Sequence, residues 1–231
     1  MNNPPHPLSG QVALISGSSD LAGEVAGALA ALGVKVCLLG TRRDLLELAA
    51  APLLAAASDC LLQVSALSSA EEAQQVFEKT MAAFGRLDML IFVSPSWGGG
   101  LIHEHNLRTW DLMMEVNLRQ PFLLARAVLP HFREQGSGQI MAIGSDSALG
   151  IYQRDGAYNV ALHGLNALMQ LIQEENGEFG IRTHILSPGL ALADAFDGEG
   201  KPNLTTQNVA DWALWLLTRP PHLRSNGPIL I

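Results

Sequence analysis

Residues 12–23, VALISGSSDLAG, decide the fold that this sequence predicts. The apolar run at residues 12–16 is typical of a buried strand, a glycine turn that starts at Gly17 ends it, and an Ala/Leu-rich segment up to Gly33 predicts a helix. A second apolar run at residues 34–39 predicts a second strand. These patterns indicate a strand–helix–strand unit of the length expected for a nucleotide-binding crossover.

The same alternation continues to the end of the chain. We predict further strands at residues 60–64, 89–93, 139–143, 181–186 and 228–231. The predicted helices cover residues 43–57, 69–84, 109–132, 158–179 and 205–217. Strands that alternate with helices form parallel sheets covered on both faces. The sequence therefore predicts one α/β domain over residues 1–231, with a Rossmann-like doubly wound parallel sheet of about seven strands.

Composition excludes several classes of protein. Hydrophobic residues make up 48% of the chain and charged residues 16%, which excludes a disordered chain, and no apolar run reaches the ~18 residues that span a bilayer. A net charge of −8 without a basic patch argues against nucleic-acid binding. The N-terminus shows no export signal, and Cys37 and Cys60 lie in apolar runs, as reduced core cysteines do. We expect a soluble, cytoplasmic protein with no membrane partner.

Asn117, Ser145 and Tyr158 form the clearest chemical pattern in the chain. Ser145 follows the strand predicted at residues 139–143, and Tyr158, thirteen residues later, opens the next helix. A strand end and a helix start can aim two hydroxyls at one substrate oxygen. Together with Asn117 in the segment MEVNL, these residues resemble the active site of the short-chain dehydrogenase/reductase family, whose motif is a serine followed thirteen residues later by Tyr-x-x-x-Lys. Here Leu162 stands where the family has lysine.

The resemblance implies a role for each of these side chains. The tyrosine passes a proton to or from the substrate oxygen, the serine hydrogen-bonds that oxygen, and the asparagine helps to hold a proton-relay water. A tyrosine without a neighbouring cation keeps a pKa of about 10. We therefore expect reduction, which uses the neutral phenol as an acid, to survive better than oxidation. Arg154 and Lys201 are weaker candidates to replace the missing cation, and a solvent-facing role is the preferred interpretation of Arg154.

The turn after the first strand is the predicted cofactor site. Backbone N–H groups at a helix start attract a pyrophosphate, and Gly17, Ser19, Leu21 and Gly23 fall on the family pattern Thr-Gly-x-x-x-Gly-x-Gly. Leu21 occupies the position of its middle glycine, so we expect weakened binding or a reshaped loop. A strand-to-helix turn without a ligand is the alternative.

Thr41 and Arg42, at the end of the second strand, resemble the hydroxyl-plus-arginine pair of family members that prefer NADP(H), so NADP(H) is the predicted cofactor; a solvated arginine is the alternative. Pro188 and Gly189 match a further family motif. The threonine that usually follows is replaced by Ala193, and Ser94 and Pro95 replace the family's Asn-Asn-Ala-Gly segment.

Two loops, residues 94–106 and 190–203, follow strands on the carboxyl edge of the sheet and can border a substrate site; the second is predicted to be mobile, as a lid would be. The first contains His103, Glu104 and His105. A metal site there would lack further ligands nearby in sequence, so we predict none and interpret the cluster as surface residues at a helix start.

These observations predict an NADP(H)-dependent carbonyl reductase or alcohol dehydrogenase with an atypical site, acting on a small carbonyl or alcohol. One alternative is a catalytically silent family member that serves as a binding subunit. Another is cofactor-free chemistry with Ser145 and Tyr158. The resemblance implies helix pairing into a homodimer or homotetramer, or into a hetero-oligomer with an active homologue.

Overall fold

A computed structural model of the protein describes residues 6–55, 58–93, 98–189, 204–220 and 227–231. Its centre is a seven-stranded sheet of order β3-β2-β1-β4-β5-β6-β7, in which every neighbouring pair is parallel. The strands are β1 (Val12–Ser16), β2 (Lys35–Gly40), β3 (Cys60–Val64), β4 (Met89–Val93), β5 (Gly138–Ile143), β6 (Ile181–Ser187) and β7 (Ile229–Leu230).

Helices cover both faces of this sheet. In chain order they are α1 (Asp20–Ala31), α2 (Arg43–Ala49), α3 (Ala51–Ala55), α4 (Ala70–Phe84), α5 (Leu107–Met114), α6 (Gln120–Gln135), α7 (Gly156–Asn176) and α8 (Thr206–Leu217). One apolar core joins the sheet to α4, α5, α6 and α7, and a second joins it to α1, α2, α3 and α8. None of the described helices is long and apolar enough to cross a bilayer.

The central strand β1 shows why the sheet is buried on both sides. Val12 and Leu14 pack into one core, and Ala13 and Ile15 pack into the other, because successive side chains of a strand point to opposite faces. Strand β1 pairs with β2 on one side and with β4 on the other. The order of the strands therefore reverses between β1 and β4, which confirms the predicted doubly wound fold.

Two predicted helices are interrupted in the structure. The segment predicted as one helix over residues 43–57 divides into α2 and α3, and the segment predicted over residues 109–132 contains a π-helical turn, Glu115–Arg119, between α5 and α6. Pro121 has no N–H to donate to the carbonyl four residues earlier, and its ring crowds that carbonyl. The helix widens at this point, and Asn117 lies inside the widened turn.

A buried polar pair lies between β5 and β6. The Nε2 atom of His184 donates to the side-chain oxygen of Gln139 over 3.1 Å, and the amide of Gln139 donates to the carbonyl of Leu217 over 3.2 Å. Only 2% of His184 is exposed, and its Nδ1 atom has no hydrogen-bond partner. Burial, and then the charge of Arg182, lowers the pKa of His184 from 6.5 to about 4.

This buried histidine predicts that acid destabilises the fold. Between pH 6.5 and about 4 the unfolded chain binds a proton that folded His184 rejects, so stability falls as the pH drops below 6.5 and levels off near 4. At pH 5 the loss in the free energy of unfolding should be about 2 kcal/mol. The free energy of unfolding in urea should lose this part of its pH dependence in the His184→Gln variant. It should keep this part in His103→Gln, where the substituted histidine is exposed. If the free energy of unfolding falls equally with pH in His184→Gln and in the unmodified protein, His184 is not the source of the acid destabilisation.

Candidate active site

The turn after β1 has the conformation that its glycines require. Gly17 has φ of 153°, and a Cβ added to it would lie 3.0 Å from the Cβ of Val93, at the end of β4. A Cβ on Gly23 would lie 2.7 Å from the carbonyl oxygen of Ala49, so this second glycine allows α1 to approach α2. The side chain of Ser19 caps α1 and accepts the backbone N–H of Ala22 over 3.3 Å.

Beside this turn lies a cavity of about 360 Å³. It occupies the crevice where β1 and β4 diverge, the usual ligand position in doubly wound sheets. The described residues that line it are uncharged. They come from the ends of β1, β2 and β4, the turns and loops that follow β1, β2 and β3, the π-helical segment, and the helices α2, α5, α6 and α7: Ser16, Gly17, Ser18, Ser19, Leu39, Gly40, Thr41, Leu45, Ser65, Leu67, Phe92, Val93, Leu112, Val116, Asn117, Gln120, Pro121 and Leu165.

Leu21 differs in position from the other predicted cofactor-site residues of the turn. It is the second residue of α1, is half-buried, and packs against the core that contains α1 and α8. It is not among the described residues that line the cavity. Its branched side chain thus lies beside the cavity rather than within it.

Thr41 and Arg42 follow β2 at the outer end of the cavity, and both are exposed. Thr41 lines the cavity, whereas the guanidinium of Arg42 binds the carboxylate of Asp44, with Nε 3.1 Å from Oδ1 and a second contact from Nη2 to Oδ2. This hydrogen-bonded contact lowers the pKa of Asp44 and raises the pKa of Arg42. A phosphate group at this position would have to compete with Asp44 for the guanidinium.

Ser145 is separated from the end of β5 by Gly144 and caps a short 3-10 helix. Its hydroxyl donates to Oδ1 of Asp146 over 2.9 Å and accepts the backbone N–H of Ser147 over 3.2 Å. The backbone N–H of Asp146 donates to the carbonyl of Pro188 over 3.0 Å, and the N–H of Gly189 donates to the carbonyl of Ile231 over 3.1 Å. Pro188 is therefore bonded to the residue after Ser145, whereas Gly189 is bonded to the end of the chain.

Tyr158 and Leu162 lie one turn apart in the first half of α7. Tyr158 is 7% exposed and Leu162 is 1% exposed, and both belong to the core beneath α7. A Cβ on Gly144 would lie 3.7 Å from Cδ2 of Leu162, so the leucine packs where β5 ends. Asn117 is 1% exposed and donates its amide to the carbonyl of Met113 over 3.2 Å.

The start of α7 is tied to the loop that precedes α5. The N–H of Ala157 donates to Nε2 of His105 over 3.2 Å, and the N–H of Gly100 donates to the carbonyl of Arg154 over 2.6 Å. Asp155, the N-cap residue of α7, makes no side-chain cap bond, so His105 caps the helix instead. His105 was predicted to be a surface residue, but it is half-buried. No local pattern predicts its contact with a residue 52 positions away.

The structure describes some of the remaining predicted positions and not others. His103 contacts Glu104 over 3.3 Å on an exposed 3-10 turn, and within the described ranges no group of three or more metal-ligating side chains lies together. Arg154 is exposed and has a left-handed φ of 69°. The predicted lid at residues 190–203, with Ala193 and Lys201, and the segment with Ser94 and Pro95 lie outside the described residues.

Comparisons with known proteins identify relatives along nearly the whole chain. The family model described as short chain dehydrogenase matches residues 11–202. An uncharacterized oxidoreductase from Staphylococcus haemolyticus is 26% identical over 223 residues, covering 95% of this chain and 96% of the relative. One from Staphylococcus saprophyticus is 28% identical over 226 residues, with the same coverage.

Solved structures agree with these relatives. A metagenomic short-chain oxidoreductase in complex with NADP is 28% identical with a TM-score of 0.82, covering 97% of both chains. An alcohol dehydrogenase from the archaeon Thermococcus sibiricus, complexed with 5-hydroxy-NADP, is 25% identical with a TM-score of 0.83, covering 96% of this chain and 95% of that chain. The fold, the sequence relatives and the family model all lead to one conclusion: this chain belongs to the short-chain dehydrogenase family of oxidoreductases.

Proposed function

We propose that this protein is an NADP(H)-dependent carbonyl reductase or alcohol dehydrogenase whose site works without the family's lysine. The proposal is carried by the joint arrangement of Ser145 at the end of β5, Tyr158 in the first turn of α7 and Asn117 beside the cavity between β1 and β4. The NADP and 5-hydroxy-NADP bound to two similar solved structures support the choice of cofactor.

The described part of the cavity fits the adenosine and pyrophosphate half of a nicotinamide dinucleotide. Gly17 leaves the crevice open next to Val93, and the backbone at the start of α1 offers N–H groups to a pyrophosphate. Thr41 and Arg42 would hold the adenosine ribose and its 2′-phosphate, with Arg42 exchanging Asp44 for the phosphate. When bound, the nicotinamide ring supplies or accepts the hydride.

In this proposal Tyr158 and Ser145 act together on the substrate oxygen. The Tyr158 hydroxyl gives its proton to the carbonyl oxygen as the carbonyl is reduced. Ser145 has one hydroxyl proton, and that proton is held by Asp146 over 2.9 Å. The Ser145 hydroxyl must therefore turn away from Asp146 before it can donate to the substrate.

Leu162 sets the direction in which this site works best. Oxidation of an alcohol needs the tyrosinate as a base, and a buried leucine offers no positive charge to stabilise it. Reduction needs the neutral phenol, which requires no such help. We therefore assign reduction as the favoured direction.

The runner-up function is a catalytically silent subunit. Two features favour it: the Ser145 hydroxyl is engaged within its own loop, and α6 and α7 expose the apolar side chains of Phe122, Val160 and Leu171. Such a subunit would pair these helices in a homodimer or homotetramer, or with an active homologue. Failure of both NADPH and NADH to bind at millimolar concentration would reject the reductase and favour this function. The cytoplasmic location stays a prediction.

Substitutions at Tyr158 and Leu162 test the proposed chemistry. Tyr158→Phe should lower the carbonyl reductase kcat by about 10²- to 10⁴-fold without weakening NADPH binding, because only the proton donor is lost. Leu162→Lys should raise alcohol oxidation at pH 8.5 at least about tenfold, because an ammonium group favours the tyrosinate. Leu162→Met keeps the size without the charge and should leave oxidation unchanged. A folded, NADPH-binding Leu162→Lys variant with unchanged oxidation would contradict this account.

The cofactor preference is tested at two neighbouring arginines. Arg42→Ala should raise the Kd of NADPH roughly 10- to 100-fold and leave that of NADH unchanged, because a charge-assisted contact to the 2′-phosphate is lost. Arg43→Ala is the matched control, since Arg43 is exposed and its Nε binds Glu47 over 3.0 Å. Calorimetric titration measures the Kd of NADPH and of NADH for each variant and for the unmodified protein. Equal losses for NADPH and NADH in Arg42→Ala would reject the assigned preference.

His105 is a positioning residue for Tyr158 in this proposal, because it caps the helix turn that carries the tyrosine. His105→Ala should lower kcat about tenfold with little change in the KM for NADPH, and should speed amide exchange in the first turn of α7. His105→Gln keeps an acceptor at a similar reach and should restore both. If the alanine variant matches the unmodified protein in kcat and exchange, His105 does not position Tyr158.

A further inference from the structure

Two loops next to Ser145 and Tyr158 expose large apolar side chains. One loop runs from residue 98 into the start of α5, and the other connects Ser145 to α7. Ile151 is 83% exposed, Leu107 78% and Ile102 70%. We call the full set the apolar rim, and its members are Leu101, Ile102, Leu107, Leu149, Ile151 and Tyr152.

The two halves of the apolar rim are held side by side. The N–H of Gly100 donates to the carbonyl of Arg154, and Nε2 of His105 accepts the N–H of Ala157. These bonds fix the first loop against the end of the second, directly before Tyr158. Single exposed apolar residues are normal on a protein surface, but a cluster around a reacting group marks a binding surface.

Charges near the rim are distributed unevenly. The carboxylate of Asp146 contacts the Ser145 hydroxyl over 2.9 Å and lies 3.5 Å from the Tyr152 hydroxyl. Farther out, His103 contacts Glu104, and exposed Arg154 is adjacent to Asp155. A carboxylate therefore lies against the Ser145 hydroxyl, and it repels a negative charge carried next to a carbonyl that this hydroxyl contacts.

We propose that the apolar rim binds the hydrocarbon part of the substrate, which makes the substrate class neutral ketones or aldehydes with a long or bulky apolar group. The inference rests on the proposed reductase function and narrows it. Each rim side chain that a substrate covers removes apolar area from water on both partners. A 2-oxo acid is excluded from this class, because its carboxylate would lie close to Asp146.

The test uses ketones that share a reacting group and differ in their tails. The probes are 2-octanone, acetone and 2-oxooctanoate, with NADPH present, and the measurements are Kd by saturation-transfer NMR and kcat/KM. Ile151→Asn and Ile102→Asn should each weaken 2-octanone binding roughly tenfold and should weaken acetone binding much less, because acetone has no hydrocarbon tail that the rim could cover. Leu48→Asn, at an exposed leucine of α2, is the matched control and should change neither. 2-Oxooctanoate should bind more weakly than 2-octanone.

The outcomes separate this inference from the function on which it rests. If 2-octanone is reduced but the rim variants bind it as tightly as Leu48→Asn does, the rim assignment is overturned and the reductase proposal stands. If no ketone is reduced, the reductase proposal fails; loss of 2-octanone binding in the rim variants then still supports the rim, and unchanged binding overturns it. Conversion of an oligomer to monomers by Ile151→Asn would make the rim a subunit interface and would also overturn the assignment.

Discussion

The parallel pairing of β1 with both β2 and β4 is the constraint on which the site depends. Because the chain leaves β1 toward one face of the sheet and β4 toward the other, the two connections part and leave a crevice at the carboxyl edge. Gly17 keeps this crevice open, since any side chain there would meet Val93. Every predicted site residue in the described chain reaches its position from the edge that contains this crevice.

The active-site helix shows how local chemistry and tertiary contacts combine. The sequence supplies Tyr158 and Leu162 one turn apart, but the start of α7 is held by a histidine on a distant loop and by the backbone bond between Gly100 and Arg154. Leu162 adds packing where a lysine would add charge. The family framework thus remains, while the position one turn after Tyr158 carries no positive charge.

Sequence reasoning worked where a short, nearly continuous apolar run ends at a polar or glycine residue. β1, β3 and β4 begin and end at the residues predicted for them, because each is a short apolar run bounded by polar or glycine residues. It failed where a backbone detail interrupts a regular pattern. The helical period continues through the π-helical segment, and the missing N–H of Pro121, at the start of α6, is a local signal that was not used. The cap from His105 could not be predicted, since it joins residues that only the fold brings together, and the bond between Arg42 and Asp44 was overlooked although both lie in one turn.

The proposed reductase requires that the crevice between β1 and β4 holds a dinucleotide while the hydroxyls of Ser145 and Tyr158 face one substrate oxygen. A crystal structure of the protein with NADPH and a bound ketone tests it most directly. We expect a pyrophosphate against the turn at Gly17, and we expect the hydroxyl oxygens of Ser145 and Tyr158 both to lie within about 3 Å of the ketone oxygen. An empty crevice at millimolar NADPH, or two hydroxyls that point away from each other, would contradict it.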